Sequence, residues 1–96
     1  MTIASITSAE REVIRRAMQA TFRYFDADFQ TRLGIEPAVM QSLLAAWPID
    51  DSHDDSDACL AVNNSLNELL HGVGISETEA LELLGVTRRE LARIYA

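Results

Sequence analysis

Two stretches decide the fold: Asp28-Phe29-Gln30-Thr31-Arg32-Leu33-Gly34-Ile35 and, 51 positions later, Glu79-Ala80-Leu81-Glu82-Leu83-Leu84-Gly85-Val86. Each reads as a short helix, a glycine stop and a second helix. The correspondence continues past the glycines, where Met40, Leu43 and Leu44 fall on Leu91, Ile94 and Tyr95. Apolar residues at i, i+3 and i+4 make one buried helical stripe. Upstream, Ile14, Ala17 and Met18 align with Leu66, Leu69 and Leu70 at an offset of 52. The pattern predicts an all-α chain of about six helices in two pseudo-repeated three-helix halves, 8–47 and 58–96, within a single domain over 1–96.

Local signals set the expected boundaries. Thr7 and Glu10 fit a capping box for a first helix over Ser8 to Phe25, with Val13, Ile14, Ala17, Met18, Thr21, Phe22 and Phe25 as its apolar stripe. A second helix runs from Asp26 to Leu33 and stops at Gly34. The third begins at Pro37, tolerated at a first helical position, and ends at Trp47 before Pro48. A fourth covers Ala58 to His71 behind a Ser56 or Asp57 cap. Ser76 to Glu79 and Thr87 to Glu90 each have the spacing of a capping box and open the fifth and sixth. No segment alternates with the period of two that a half-buried strand requires.

With 96 residues, 48% of them hydrophobic, the chain can bury a core. Its single cysteine, Cys59, excludes an intramolecular disulfide and points to the cytoplasm. No apolar run approaches the ~20 residues that span a bilayer, so no membrane role is expected. The net charge of −7 is unevenly distributed: five Arg balance five acids over 1–47, five Asp stand unopposed over 48–57, and three Arg face five acids over 58–96. The stretch 48–57 therefore reads as an exposed, mobile acidic linker with almost nothing to bury. All eight bases are Arg, which suits bidentate phosphate or carboxylate contacts, although a GC-rich coding sequence produces the same bias.

The segment Glu77 to Ala96 resembles the helix-turn-helix superfamily. Ala80, Leu84, Gly85, Val86, Leu91 and Ile94 stand where that family packs two helices across a tight turn, and the segment 26–45 is a degenerate second copy. The resemblance implies that the last helix enters the major groove of duplex DNA, with Thr87, Arg88, Arg89 and Arg93 meeting bases and phosphates and a homodimer reading two half-sites. Two departures stand against it. Leu81 occupies the position where the family commonly keeps Ala, and the first copy presents Glu36, Ala38, Gln41 and Ser42 where a reader would be basic. Arg88 and Arg89 also sit in a first helical turn, where the dipole disfavours cations, and Arg89 and Arg93 are like charges at i, i+4. Both arrangements call for an anion.

No other motif carries chemistry. The linker contains His53 among its aspartates but lacks the glycine and glutamate of a calcium loop in either register. Gly72-Val73-Gly74 follows a helix and is a turn, not a phosphate cradle. Asn63, Asn64 and Asn67 weaken the fourth helix and read as a structural hydrogen-bond network. No acid–base pair, zinc spacing or activated nucleophile appears, so a non-enzymatic protein without a cofactor is expected. Two functions follow: a DNA-binding regulator, or an acidic protein-interaction module such as an inhibitor, adaptor or immunity-type protein. In the second, Asp50, Asp51, Asp54 and Asp55 meet a basic partner. If Arg88, Arg89 and Arg93 form a free face, DNA is favoured; if carboxylates hold them, the module is.

Overall fold

Helix starts are fixed by side chains that satisfy the first free N–H groups, which have no partner within a helix. In the computed structural model, which describes residues 2–96, Thr7 and Glu10 form the complete reciprocal box that opens α1 (Ser8–Tyr24). Ser56 caps α4 (Asp57–Asn67) by accepting from the Cys59 N–H at 3.1 Å. Ser76 and Glu79 box α5 (Glu77–Leu84), while α6 (Arg88–Tyr95) has only half of the expected box. Thr87 accepts from the Glu90 N–H, but the Glu90 carboxylate is turned to Arg93 instead.

The remaining helices are α2 (Phe29–Leu33) and α3 (Pro37–Ala45). α2 starts three residues later than the apolar pattern predicts. Asp28 Oδ1 accepts from the Asp26 N–H at 3.2 Å, so this side chain closes a local turn and caps nothing. The fourth helix changes pitch at its end, where Glu68–Gly72 forms a π-helical turn. Ile3–Ser5 is a 3-10 turn. The chain is all-α, with six α-helices and no strand among the described residues.

Gly34 and Gly85 both adopt the left-handed conformation, with φ of 74° and 76°, and both close the preceding helix through their N–H. Around them the two halves differ. α2 has five residues and α5 eight, and α4 runs on into a π turn whereas α1 does not. Gly34 is also approached closely, since a Cβ there would stand 3.2 Å from Asn64 Nδ2. That amide donates to the Leu33 carbonyl at 2.8 Å and ties the end of α2 to α4.

One core joins all these elements. It runs from Ile3 through Ile14, Met18, Phe29, Leu33 and Met40 to Leu66, Leu69, Leu84, Leu91 and Ile94. α1 is its axis, packing on α3, α4 and α5, while α6 lies on α4 and the π turn. Burying a Leu, Ile, Phe or Met side chain contributes about 1.5–3 kcal/mol each, so this cluster is the main favourable term.

The acidic segment departs from expectation at Ile49, which packs on the core, and above all at Asp51. Asp51 is 4% exposed, and its Oδ1 accepts from the Ile3 N–H at 3.0 Å. Ile3 sits in the core at 2% exposure, so its peptide N–H leaves water with it and requires an acceptor. No pattern along the linker reveals this, because the partner is 48 residues away. Asp50, Asp54 and Asp55 are exposed as expected.

Candidate functional site

The arginines of α6 have three different fates. The guanidinium of Arg88 turns back over the π turn, where Nη2 donates to the Leu70 carbonyl at 2.9 Å. Its own backbone N–H is taken by Glu77 Oε1 at 2.7 Å. A cation at the carbonyl end of one helix is favoured by that helix's dipole, which offsets the unfavourable place Arg88 holds in the first turn of α6. Its Nε is buried without a partner.

Arg93 is gripped by two carboxylates. Its Nε donates to Glu90 Oε2 at 2.9 Å, and Nη2 bonds both Glu90 Oε1 and, at 2.7 Å, Glu10 Oε2 on α1. The effect on the acids is direct. Glu10 is held down at about 2 by the Thr7 backbone N–H first and by the Arg93 guanidinium second. Glu90 is lowered chiefly by Arg93, whose own pKa is raised by both carboxylates. Arg89 is exposed and has no hydrogen-bond or ion-pair partner among the described residues. Thr87 spends its hydroxyl on the cap. Of the four residues expected to meet DNA, one is free.

Leu81, at the family's small-residue position, is 50% exposed, whereas Ala80 and Leu84 are the buried residues of α5, which packs on α1. Tyr24 of α1 donates to Glu79 Oε2, which fixes the other end of that contact. Burial first, and this carboxylate second, push the Tyr24 phenol up to about 12.

Elsewhere four of the five remaining arginines are also used internally. Arg11 Nη1 donates to the carbonyls of Ile3 and Ile6 at 3.2 and 2.9 Å, and Nη2 to Ser8 Oγ at 3.0 Å. Arg15 and Arg16 share Glu12, and Arg32 pairs with Glu68 at 2.9 Å. The aspartates of the acidic segment are arranged otherwise. Asp54, Asp55 and Asp57 are exposed and make no ion pair among the described residues. Asp50 faces only His53, at 3.7 Å, and accepts the Ser52 N–H and hydroxyl. Asp55 has φ of 62°, a left-handed conformation that Asp tolerates, and so turns the segment back towards α4.

Between this segment and the N-terminal turn lies a cavity of about 540 Å³. Ile3, Ala4, Pro48 and Ile49 supply its apolar wall, and Asp50, Asp51 and Arg11 its charges. Nothing in the sequence pointed to it. Ile3, Arg11 and Asp51 come together only in the tertiary fold.

The expected asparagine network is also divided in space. Asn63 donates to the Cys59 carbonyl at 2.9 Å within its own helix, Asn64 caps α2, and Asn67 is exposed. No described helix is long and apolar enough to cross a membrane. Compared with known protein families, curated proteins and solved structures, the chain has no significant match in any of the three.

Proposed function

We propose that this chain is an acidic protein-interaction module whose segment 50–57 receives a basic partner. The observation that carries the reading is the asymmetry of charge satisfaction. Six of the eight arginines donate to carbonyls, hydroxyls or carboxylates of the chain itself, whereas Asp54, Asp55 and Asp57 have no cationic partner among the described residues. A cluster of unopposed carboxylates on a helical scaffold attracts and orients a cationic surface, and does so most strongly at low ionic strength. In this role Asp50, Asp54, Asp55 and Asp57 are the contact residues. Non-specific attraction by a net negative chain is separated from a site by position. Titration with a lysine-rich peptide should be weakened by Asp54→Asn with Asp55→Asn, and not by Glu36→Gln with Glu82→Gln, which remove the same charge elsewhere.

The second reading is the DNA-binding regulator, and Arg89 favours it. This residue is exposed in the first turn of α6, one turn after a left-handed Gly85, as in a helix that reads the major groove. The homodimer belongs to this reading, since one short helix reads few bases. A duplex shift at low salt, abolished by Arg89→Ala, would support it.

A further inference from the structure

We infer that the cavity between the N-terminal turn and the acidic segment is a pocket for a primary alkylammonium group; on the reading above, which this inference deepens, that group ends a lysyl side chain of the partner. The carrying observation is Asp51. Its carboxylate is withdrawn from water on the pocket wall, Oδ1 accepts one hydrogen bond, and Oδ2 is buried with no partner. A buried carboxylate keeps its charge at low cost only when both oxygens are compensated. The missing compensation is a donor, and a cationic donor satisfies charge and hydrogen bond together.

The other walls select the rest of the ligand. Asp50 adds a second carboxylate at the rim, whereas the Nη atoms of Arg11 are turned to Ile3, Ile6 and Ser8. With two carboxylates against one guanidinium, the pocket repels an anion. Ile49, Pro48 and Ala4 offer a surface for an aliphatic stem. An apolar stem ending in a charge is the shape of lysine, which buries its methylenes and keeps its head among polar groups. Two carboxylates are too few for a metal, and no described group of three or more metal-ligating side chains exists. The ammonium reaches Oδ2 when the Asp51 carboxyl turns part-way about χ2, a broad torsion, with Oδ1 kept within reach of the Ile3 N–H.

The test uses the whole chain and two probes. With n-butylammonium followed by amide chemical shifts, saturable changes are expected at Ile3, Ile49 and Ser52, with none from n-butanol or butyrate. With the lysine-rich peptide, acetylation of the inserted lysine should weaken binding roughly tenfold or more, the equivalent of one charge-assisted hydrogen bond. Asp51→Asn, which keeps an acceptor for Ile3, should produce the same loss. Ala4→Trp, which fills the cavity and leaves the Asp51 carboxylate in place, covers the case in which the Asn variant unfolds. Peptide binding that survives acetylation and Ala4→Trp but falls with Asp54→Asn and Asp55→Asn would overturn the pocket and leave the partner reading standing. Saturable n-butylammonium shifts without any peptide binding would support the pocket and overturn the partner reading.

Discussion

Arg88→Ala separates the two uses of α6, because a residue that meets DNA and a residue that holds the fold respond oppositely to truncation. The side chain gives the Leu70 carbonyl a charged donor at 2.9 Å, at the end of a helix whose last carbonyls lack intrahelical partners. A hydrogen bond to a charged group contributes about 1.5–3 kcal/mol, and favourable placement at a helix end adds a few tenths. Against this, truncation relieves a buried Nε without a partner and a cation in the first turn of α6. The net expectation is a loss of about 1.5 kcal/mol, or about 6–12 °C in Tm for a chain of this size. Urea denaturation with unchanged m-value measures it. Arg88→Lys should recover part of the loss, and Arg89→Ala should stay within about 0.5 kcal/mol, as surface changes do. An Arg88→Ala protein as stable as the wild type but deficient in DNA binding would refute the reasoning.

Three further outcomes follow from the contacts. Asp51→Ala leaves the buried Ile3 N–H without an acceptor and should cost about 1–3 kcal/mol by urea denaturation, whereas Asp54→Asn should cost under about 0.5. Glu10, at about 2 against its ordinary 4.5, is ionised preferentially in the folded chain. Its contribution is therefore present above pH 4.5 and lost as pH falls towards 2, so the protection factors of α6 amides, relative to the intrinsic exchange rate at each pH, should fall over that window in wild type and less so in Glu10→Gln. Tyr24, raised to about 12, should titrate by phenolate absorbance well above the ordinary value of 10.0, and its stabilising effect should disappear as pH rises through 12.

Local chemistry made most of the helices legible. Thr7, Ser56 and Ser76 cap the helices that their spacing predicts, and Gly34 and Gly85 end α2 and α5 because each takes a left-handed conformation. Local signals were less legible where a side chain had two uses. Asp28 closes a turn instead of a cap, and Glu90 bonds Arg93 instead of completing its box. The site was less legible because its contacts are distant in sequence. Glu10 lies 83 residues from Arg93, and Ile3 lies 48 from Asp51, so no window could show that one arginine was neutralised and one aspartate buried. The dipole of α6 calls for an electronegative group near Arg88. The electronegative group it required is the Leu70 carbonyl of the chain itself.

On the proposed function the surface that meets a partner is the acidic segment, and not Arg89 of α6. Competition at low salt tests it most directly: labelled chain titrated with a lysine-rich peptide and, separately, with mixed-sequence duplex DNA, each for wild type, Asp54→Asn with Asp55→Asn, and Arg89→Ala. Peptide binding that depends on Asp54 and Asp55 and ignores Arg89, with no association with duplex, is the predicted result. Duplex binding that Arg89→Ala abolishes and the Asp variant strengthens would make α6 the binding surface instead.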